Sequence, residues 1–530
     1  MHYKTGVSRH QASLFNTLDE SIGEQNYVRL IDALVEMLYG QSPEKFQYRG
    51  TKEKGRKSYH PCDLLKLYLY GYLNRISSSR RLESETYRNI EVKWLLHDLH
   101  PDHKTIADYR KDNTEAIRYV TLSFRRFLRD EGFISGEKII YDGSKIKACV
   151  SKEKVLTEKA LSSRIKKMED QLHTWLSELN NNDHTDELTE ALDSCELSAD
   201  INKSLLEEIV SLRQKIKELE EIKSQIKQSD HSSYCPTDPD AHLMKSRDGF
   251  IPAYNLQGGT DAKHKMIVLA ELTPDVIDLD CIENNVNKTK EQLGLVPEIV
   301  EADKGYDNID QIKSIESNGI TSCAIPLKEG TSSSHDKKAG VEFRYDQSTD
   351  SYTCSKGKLL KRKPKNVKQE SAEYLIYQAK ASDCRHCALF GRCTTFRNGR
   401  RLKVKIQDPF REEYAKRMET EKYQALIKER KDHIEHIFGT MKRWMGKVPL
   451  LLTGKRKVQA EIDLYASCYN LKRLMNIEDM SKLLERIANY AQKAKNILWG
   501  AFFVGKEQNI LWKIICPSRL SLKNETQGYC

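Results

Sequence analysis

The sequence predicts an α/β protein in which a central mixed sheet is preceded by an all-helical segment and interrupted by a helical hairpin. Three observations lead there. Up to about residue 132, apolar residues recur at helical spacing; beyond it, short apolar runs alternate with helical patterns; and residues 151–229 form a charged, nearly glycine-free stretch with its own apolar seam.

The N-terminal segment is justified first by Tyr27 to Tyr39, where Val28, Leu30, Ile31, Leu34, Val35 and Leu38 fall on one helical face. A polar Lys- and Gly-bearing stretch (48–58) precedes a second apolar helix from Cys62 to about Leu73. The segment His100 to Lys111 then leads into a helix carrying Phe124, Phe127 and Leu128. Arg75, Arg80, Arg81 and Arg110 among these short helices fit either a helix-turn-helix-like DNA module or a small bundle with solvated basic residues.

Ile139-Ile140-Tyr141, followed by Asp142-Gly143, predicts a strand ending in a turn. In the charged insertion, Leu161, Ile165, Met168, Leu172 and Leu176 line one half. Leu205, Ile209, Leu212, Ile216, Leu219, Ile222 and Ile226 line the other, so an antiparallel helical or coiled-coil hairpin is expected. Residues 249–272 read as a strand hairpin, about 279–293 as a helix, and Glu298 to Glu301 as a short strand ahead of Asp303. A helix near 309–317 and a strand near 319–326 follow, then a polar loop (328–340), a long helical region (411–445) and a further helix (about 457–475). The extension 481–530, apolar and aromatic from Ile497 to Val504, receives no role.

Bulk properties bound the function loosely. The 530 residues carry 87 Lys and Arg against 77 Asp and Glu, a net +10 that suits a polyanionic partner without requiring one. No apolar run is long enough to span a bilayer, and the first twenty residues lack an apolar signal core, so a cytoplasmic setting is expected. Thirteen cysteines, an odd number scattered over a long chain, argue against a disulfide scaffold and for a reducing compartment.

Three acidic residues are candidates for chemistry. Asp142 and Asp303 each follow an apolar strand-like run, where an α/β fold displays reactive groups, although turn-forming or capping is the common role of such aspartates. Glu435 adjoins a helical stripe of Ile434, Ile437, Phe438 and Met441, near Lys428, Lys431 and Lys442. From Lys428 to Lys457 there are nine Lys or Arg against three Asp or Glu, which sets a carboxylate beside a basic segment. His436, next to Glu435, points about 100° away around a helix and suits packing or DNA better than ligation. Lys304 and Tyr306 suit either a phosphate or plain surface. Asn255, Gln257, Asp261 and His264 in the hairpin receive no direct role.

The ordered blocks YDGSKIKA (141–148), EADKGYDN (301–308) and RKDHIEHIFGTMKRWMG (430–446) resemble the three motif blocks of bacterial insertion-sequence transposases of the DDE type. Residues 60–130, with HPCDLLKLYLYGYLNRISSSRRLE and HPDHKTIADYRK, resemble the helical domain that precedes the catalytic core in that family. The resemblance covers roughly residues 15–475. It implies a helical DNA-binding or assembly domain over 1–132 and a ribonuclease-H-like catalytic domain over 133–480, with the 151–229 hairpin and a cysteine-bearing segment (341–402) inserted in it. It also implies Asp142, Asp303 and Glu435 as a triad holding Mg²⁺ or Mn²⁺, and DNA contacts from Arg430, Lys431, Lys442 and Arg443. Double-stranded DNA at transposon ends and at the target would be the partner, engaged by a homodimer near the bacterial nucleoid. One departure stands out: where a neighbouring branch has Tyr and Arg seven and four positions before the glutamate, this chain has Lys428 and Lys431, with Arg430 able to replace the arginine. A nuclease on the same fold and a catalytically silent DNA-binding descendant are the alternative readings. A coiled-coil assembly protein would explain only 151–229.

Cys354, Cys384, Cys387 and Cys393 lie in the polar, Lys-rich 341–402 segment, which has little apolar content of its own. They would supply a tetrahedral thiolate set for a structural zinc, or remain reduced without metal. Cys323 and Cys468 read as core cysteines and Cys530 as incidental.

Overall fold

A computed structural model describes residues 17–46, 58–189, 197–228, 233–246, 249–327, 343–346, 348–364, 367–369, 372–405, 409–445 and 450–504. Six helices come first: α1 (Tyr27–Gln41), α2 (Pro61–Leu73), α3 (Ser79–Arg88), α4 (Ile90–Leu95), α5 (His103–Asp112) and α6 (Thr114–Asp130). Their starts are set by short polar caps. Asn26, Asn89 and Asp102 each accept a backbone N–H from the first turn of α1, α4 and α5, and His60 does the same ahead of Pro61 in α2. The predicted apolar face of α1 is buried from Val28 through Leu38.

Strand β1 (Lys138–Lys147) follows, then the two-residue strand β2 (Leu156–Thr157), the long helices α7 (Glu158–Thr189) and α8 (Leu197–Gln228), and β3 (Ser233–Tyr234). Helices α7 and α8 pack on each other. Leu161, Ile165, Ile209, Leu212 and Ile226 are buried along the seam, as the heptad-like spacing requires. The strands β4 (His242–Ser246), β5 (Gly249–Asp261) and β6 (Ile267–Thr273) come next, and α9 (Ile282–Leu293) follows them.

The chain divides into two compact units. The first comprises Met1–Val276, Asn287–Leu295 and Ile434–Cys530. Within it, β5 pairs antiparallel with β1, β4 and β6. Asp142-Gly143 is therefore not a turn: β1 runs on through Lys147, held in continuous register from Ile139↔Asp261 to Lys147↔Ala253. The 13-residue partner strand supplies a full ladder that outweighs the local turn preference of Asp-Gly. Helix α14 (Lys455–Ile477) is almost wholly buried against α2, α6 and β6. Arg118 of α6 bonds Asp463 at 2.8 Å and also Glu271, and Asn470 ties both backbone groups of Ile267. Helix α15 (Met480–Val504) packs on α1, with Arg486 bridging Glu131 and Glu478.

The second unit comprises Ile277–Val286 and Val296–His433. Its strands β7 (Ile299–Glu301) and β8 (Ser322–Ala324) are parallel, joined by a crossover through α10 (Ile309–Ser317). Residues 341–402 are not a segment without a core. They contribute β9 (Phe343–Asp346), β10 (Ser351–Cys354), β11 (Leu359–Arg362), β12 (Val367–Gln369), β13 (Ala372–Ala379), the short helix α11 (Ala381–Arg385) and β14 (Arg401–Lys405). These six strands form an antiparallel sheet around Leu360, Tyr377 and Ala379. The apolar positions alternate with Lys and Arg, so composition hides a small core that strand periodicity creates. The predicted helical region 411–445 comprises two helices, α12 (Pro409–Met418) and α13 (Glu421–Met445). Tyr414 fixes α12 to β8: its hydroxyl accepts the Ile325 N–H at 3.0 Å and lies 3.1 Å from the Cys323 carbonyl.

With parallel and antiparallel pairing, helical insertions and a leading all-helical region, the fold is a ribonuclease-H-like mixed-sheet core preceded by a helical domain. Among the described residues, no helix is long and apolar enough to cross a membrane.

Candidate active site

Asp142 sits in the middle of β1, half-buried, with the Gly143 N–H donating to its Oδ1 at 3.0 Å. Strand alternation sends Tyr141 to the other face, where it is fully buried and bonds Thr289 at 2.9 Å. Directly across from Asp142 on β5 is Gly258, and across from Gly258 on β6 is Ala270. Cross-strand partners share a face, so the row beside the Asp142 carboxylate is made of the two smallest side chains. Met441 of α13 is buried and lines a small cavity with Gly258, Gly259 and Ala270. This seats the end of α13 on the sheet face where that row lies. Glu435 is six residues before Met441, about 9 Å along the helix axis. The Gly258–Ala270 row and Met441 were not among the sequence candidates; the Gly258-Gly259 pair inside an apolar strand is the signal that marks such a close approach.

Asp303 follows β7 and caps the short turn of 3₁₀ helix Lys304–Tyr306, accepting the Gly305 N–H at 2.7 Å. A Cβ on residue 305 would stand 2.6 Å from the Asp303 Oδ1, so only glycine leaves the carboxylate where it is. Tyr306 is fully buried and Lys304 exposed, which makes the tyrosine a packing residue. Asp307 is gripped by both arms of Arg411, each at 3.1 Å, an ion pair that no sequence pattern announced.

Asp142 and Glu435 belong to the first unit and Asp303 to the second. The side chains of Lys431, Glu435, His436 and Lys442 lie outside the described ones, whereas Arg430 is half-buried and Arg443 exposed. Among the described residues, no group of three or more His, Cys, Asp or Glu stands ready to hold a metal ion.

The hairpin polar residues serve the scaffold. Asn255 donates to the Asp275 carbonyl, Gln257 bonds Asn255, and Asp261 accepts from Ser135 and Gly136. The His264 carbonyl accepts from Arg473, and burial followed by the charge of Lys263 holds its imidazole below the usual range. In the helical region Arg75, Arg80 and Arg81 are exposed, but Arg110 is buried. Arg110 bonds the Tyr72 hydroxyl at 2.9 Å and pairs with Glu461 at 3.4 Å, so it is a core cation and not a DNA-facing one. Glu461, whose carboxyl burial pushes up, also accepts the Leu451 N–H at 2.9 Å and so anchors the chain after α13.

Two family models match the chain: one described as Transposase domain (DUF772) over residues 16–112, the other as Transposase DDE domain over residues 353–475. Taken with α1–α6 and the mixed sheet, they give the chain the architecture of a DDE-type transposase. The second match contains α13 and Glu435, while Asp142 and Asp303 precede it. No curated protein and no solved structure matches the chain.

Proposed function

We propose that the chain is a DNA transposase that binds transposon ends and carries out phosphodiester hydrolysis and strand transfer with Asp142, Asp303 and Glu435. The observation that carries this reading is the seating of α13, the glutamate-bearing helix of the DDE match, over the Gly258–Ala270 row beside Asp142. Three carboxylates are the hard-oxygen donor set that Mg²⁺ or Mn²⁺ prefers. Bound there, two such ions would neutralise the phosphodiester, activate a water or 3′-hydroxyl and stabilise the leaving oxygen. Asp142, Asp303 and Glu435 are the residues that would hold these ions. Arg430, Lys431, Lys442 and Arg443 would hold the flanking phosphates, and the exposed Arg80 and Arg81 of α3 would contact DNA from the helical domain. Two ends must be brought together, so a homodimer on DNA is part of the proposal.

The test is Mg²⁺-dependent cleavage and joining of a DNA element carrying its own terminal sequences, with wild type beside Glu435→Gln. A loss of about a thousandfold in both reactions, equal to about 4 kcal/mol, with DNA binding retained, is the expected result. Cleavage without joining by the wild type would make the chain a nuclease. Binding with neither reaction would make it a catalytically silent descendant.

A further inference from the structure

Cys354, Cys384, Cys387 and Cys393 come from separate parts of the second unit, yet all four line one cavity. None is in a disulfide and each is half-buried. The space among them is about 30 Å³, which suits one ion or a water or two and excludes an organic ligand or an iron–sulfur cluster.

The backbone around the thiols is organised as a thiolate cage requires. Cys354 ends β10 at a tight turn closed by Gly357 in the left-handed region (φ +71°), and the Lys358 N–H donates to the Cys354 Sγ at 3.4 Å. Cys384 closes α11, and its Sγ accepts the Arg400 N–H at 3.3 Å. The Cys387 N–H turns back onto the Cys384 carbonyl at 3.2 Å, and the Cys393 N–H onto Leu389 at 2.8 Å. Arg400 also donates its guanidinium to the Cys393 carbonyl at 2.7 Å, so one residue ties two of the cysteine segments together. The cavity wall carries Lys356, Lys358 and Arg400 against one carboxylate, Asp383, which lies 4.0 Å from Lys358, an excess of positive charge that opposes the net −2 four thiolates leave on a divalent ion.

From this convergence we infer that the four cysteines bind one structural Zn²⁺, which fastens the β10–β11 turn to the 384–400 loop. The thiols do not already stand as a metal-holding group; they close on the ion by side-chain rotation, each releasing its proton to solvent. The sheet they would fasten has only Leu360, Tyr377 and Ala379 as its buried centre, and so small a core is commonly stapled by a metal. The ion would supply folding energy, not chemistry.

Metal analysis of the purified full-length chain should find about one zinc per chain, in wild type and in Glu435→Gln alike. Cys387→Ser/Cys393→Ser should retain less than about a tenth of that and expose the insertion to proteolysis. Because this variant can fail to fold, Co²⁺ is also titrated into zinc-stripped wild type. Intense sulfur-to-cobalt absorption saturating at about one equivalent, with bands of tetrahedral thiolate coordination, supports the site. Four freely titrating thiols with neither zinc nor cobalt bound, or a Cys384–Cys387 disulfide in the native protein, overturns it. Neither result bears on the Mg²⁺ reaction, so failure here is distinguishable from failure of the transposase reading.

Discussion

Gly305 and Gly259 show how single residues set the candidate site. Replacing Gly305 with Ala would drive a Cβ into the Asp303 carboxylate. The expected outcome is a fall of about tenfold to a hundredfold in cleavage rate, the scale of a misplacement near 1 Å, with little change in Tm. Gly259→Ala should do the reverse. Its Cβ would meet the Tyr141 ring at 2.8 Å and the Leu269 Cβ at 3.1 Å, so stability should drop by about 1–3 kcal/mol, measured by urea unfolding. Residue scale is also where the sequence was least legible. Arg110 looks like one more basic residue beside Arg80 and Arg81 until the fold brings Glu461 to it. Asp142-Gly143 carries a strong local turn preference, and only the register with β5 overrules it. Both facts depend on partners more than a hundred positions away in the chain, which local patterns do not encode.

Elements were legible where periodicity is strong. Helix α1, the hairpin helices, α9, α10 and the β5–β6 pair lie where apolar spacing put them, since each helix buries one continuous face and the two strands are apolar runs buried on both faces. The cysteine-bearing sheet was not, because its strands are short and Lys-rich and their core is three residues wide. The order of the three motif blocks could be recognised in the sequence; the packing of Met441 against β5 and β6 could not, because an apolar stripe on a helix does not name its partner. The α7–α8 seam offers a test at this scale. Ile209→Asp would bury an unpaired carboxylate on α8, at a cost of several kcal/mol. Hydrogen exchange should speed up along α7 and α8 while β1, β5 and β6 keep their protection.

At the scale of the whole molecule, the first unit is held by a buried charge network. Asp463 has no exposure, and burial pushes its carboxyl from an ordinary 3.8 up to about 6, against the pull of Arg118 and Arg125. A raised carboxyl binds its proton more tightly in the folded than in the unfolded chain, so its contribution to stability falls as pH rises from about 4 to 6. Glu271 runs the other way. Arg118 holds its carboxyl below the usual range despite burial, and its contribution is lost as pH falls. Asp463→Asn should flatten the slope of Tm against pH in the 4–6 window; an unchanged slope would show that Asp463 stays ionised throughout. On the proposed phosphate contacts, DNA affinity should fall log-linearly with salt, and Lys442→Ala should reduce that slope by about one contact.

The two-residue pairing of β2 with β3 has a consequence for how such a chain can change over time. Leu156↔Tyr234 and Thr157↔Ser233 form a clasp where the α7–α8 branch leaves and rejoins the main path. Everything beyond the clasp is a side branch, so its length, sequence or presence can drift without altering the spacing between β1 and β4. The clasp is therefore a natural splice port. A short linker, or an unrelated domain whose ends lie close together, grafted between Thr157 and Ser233 should leave the melting of the remaining core intact.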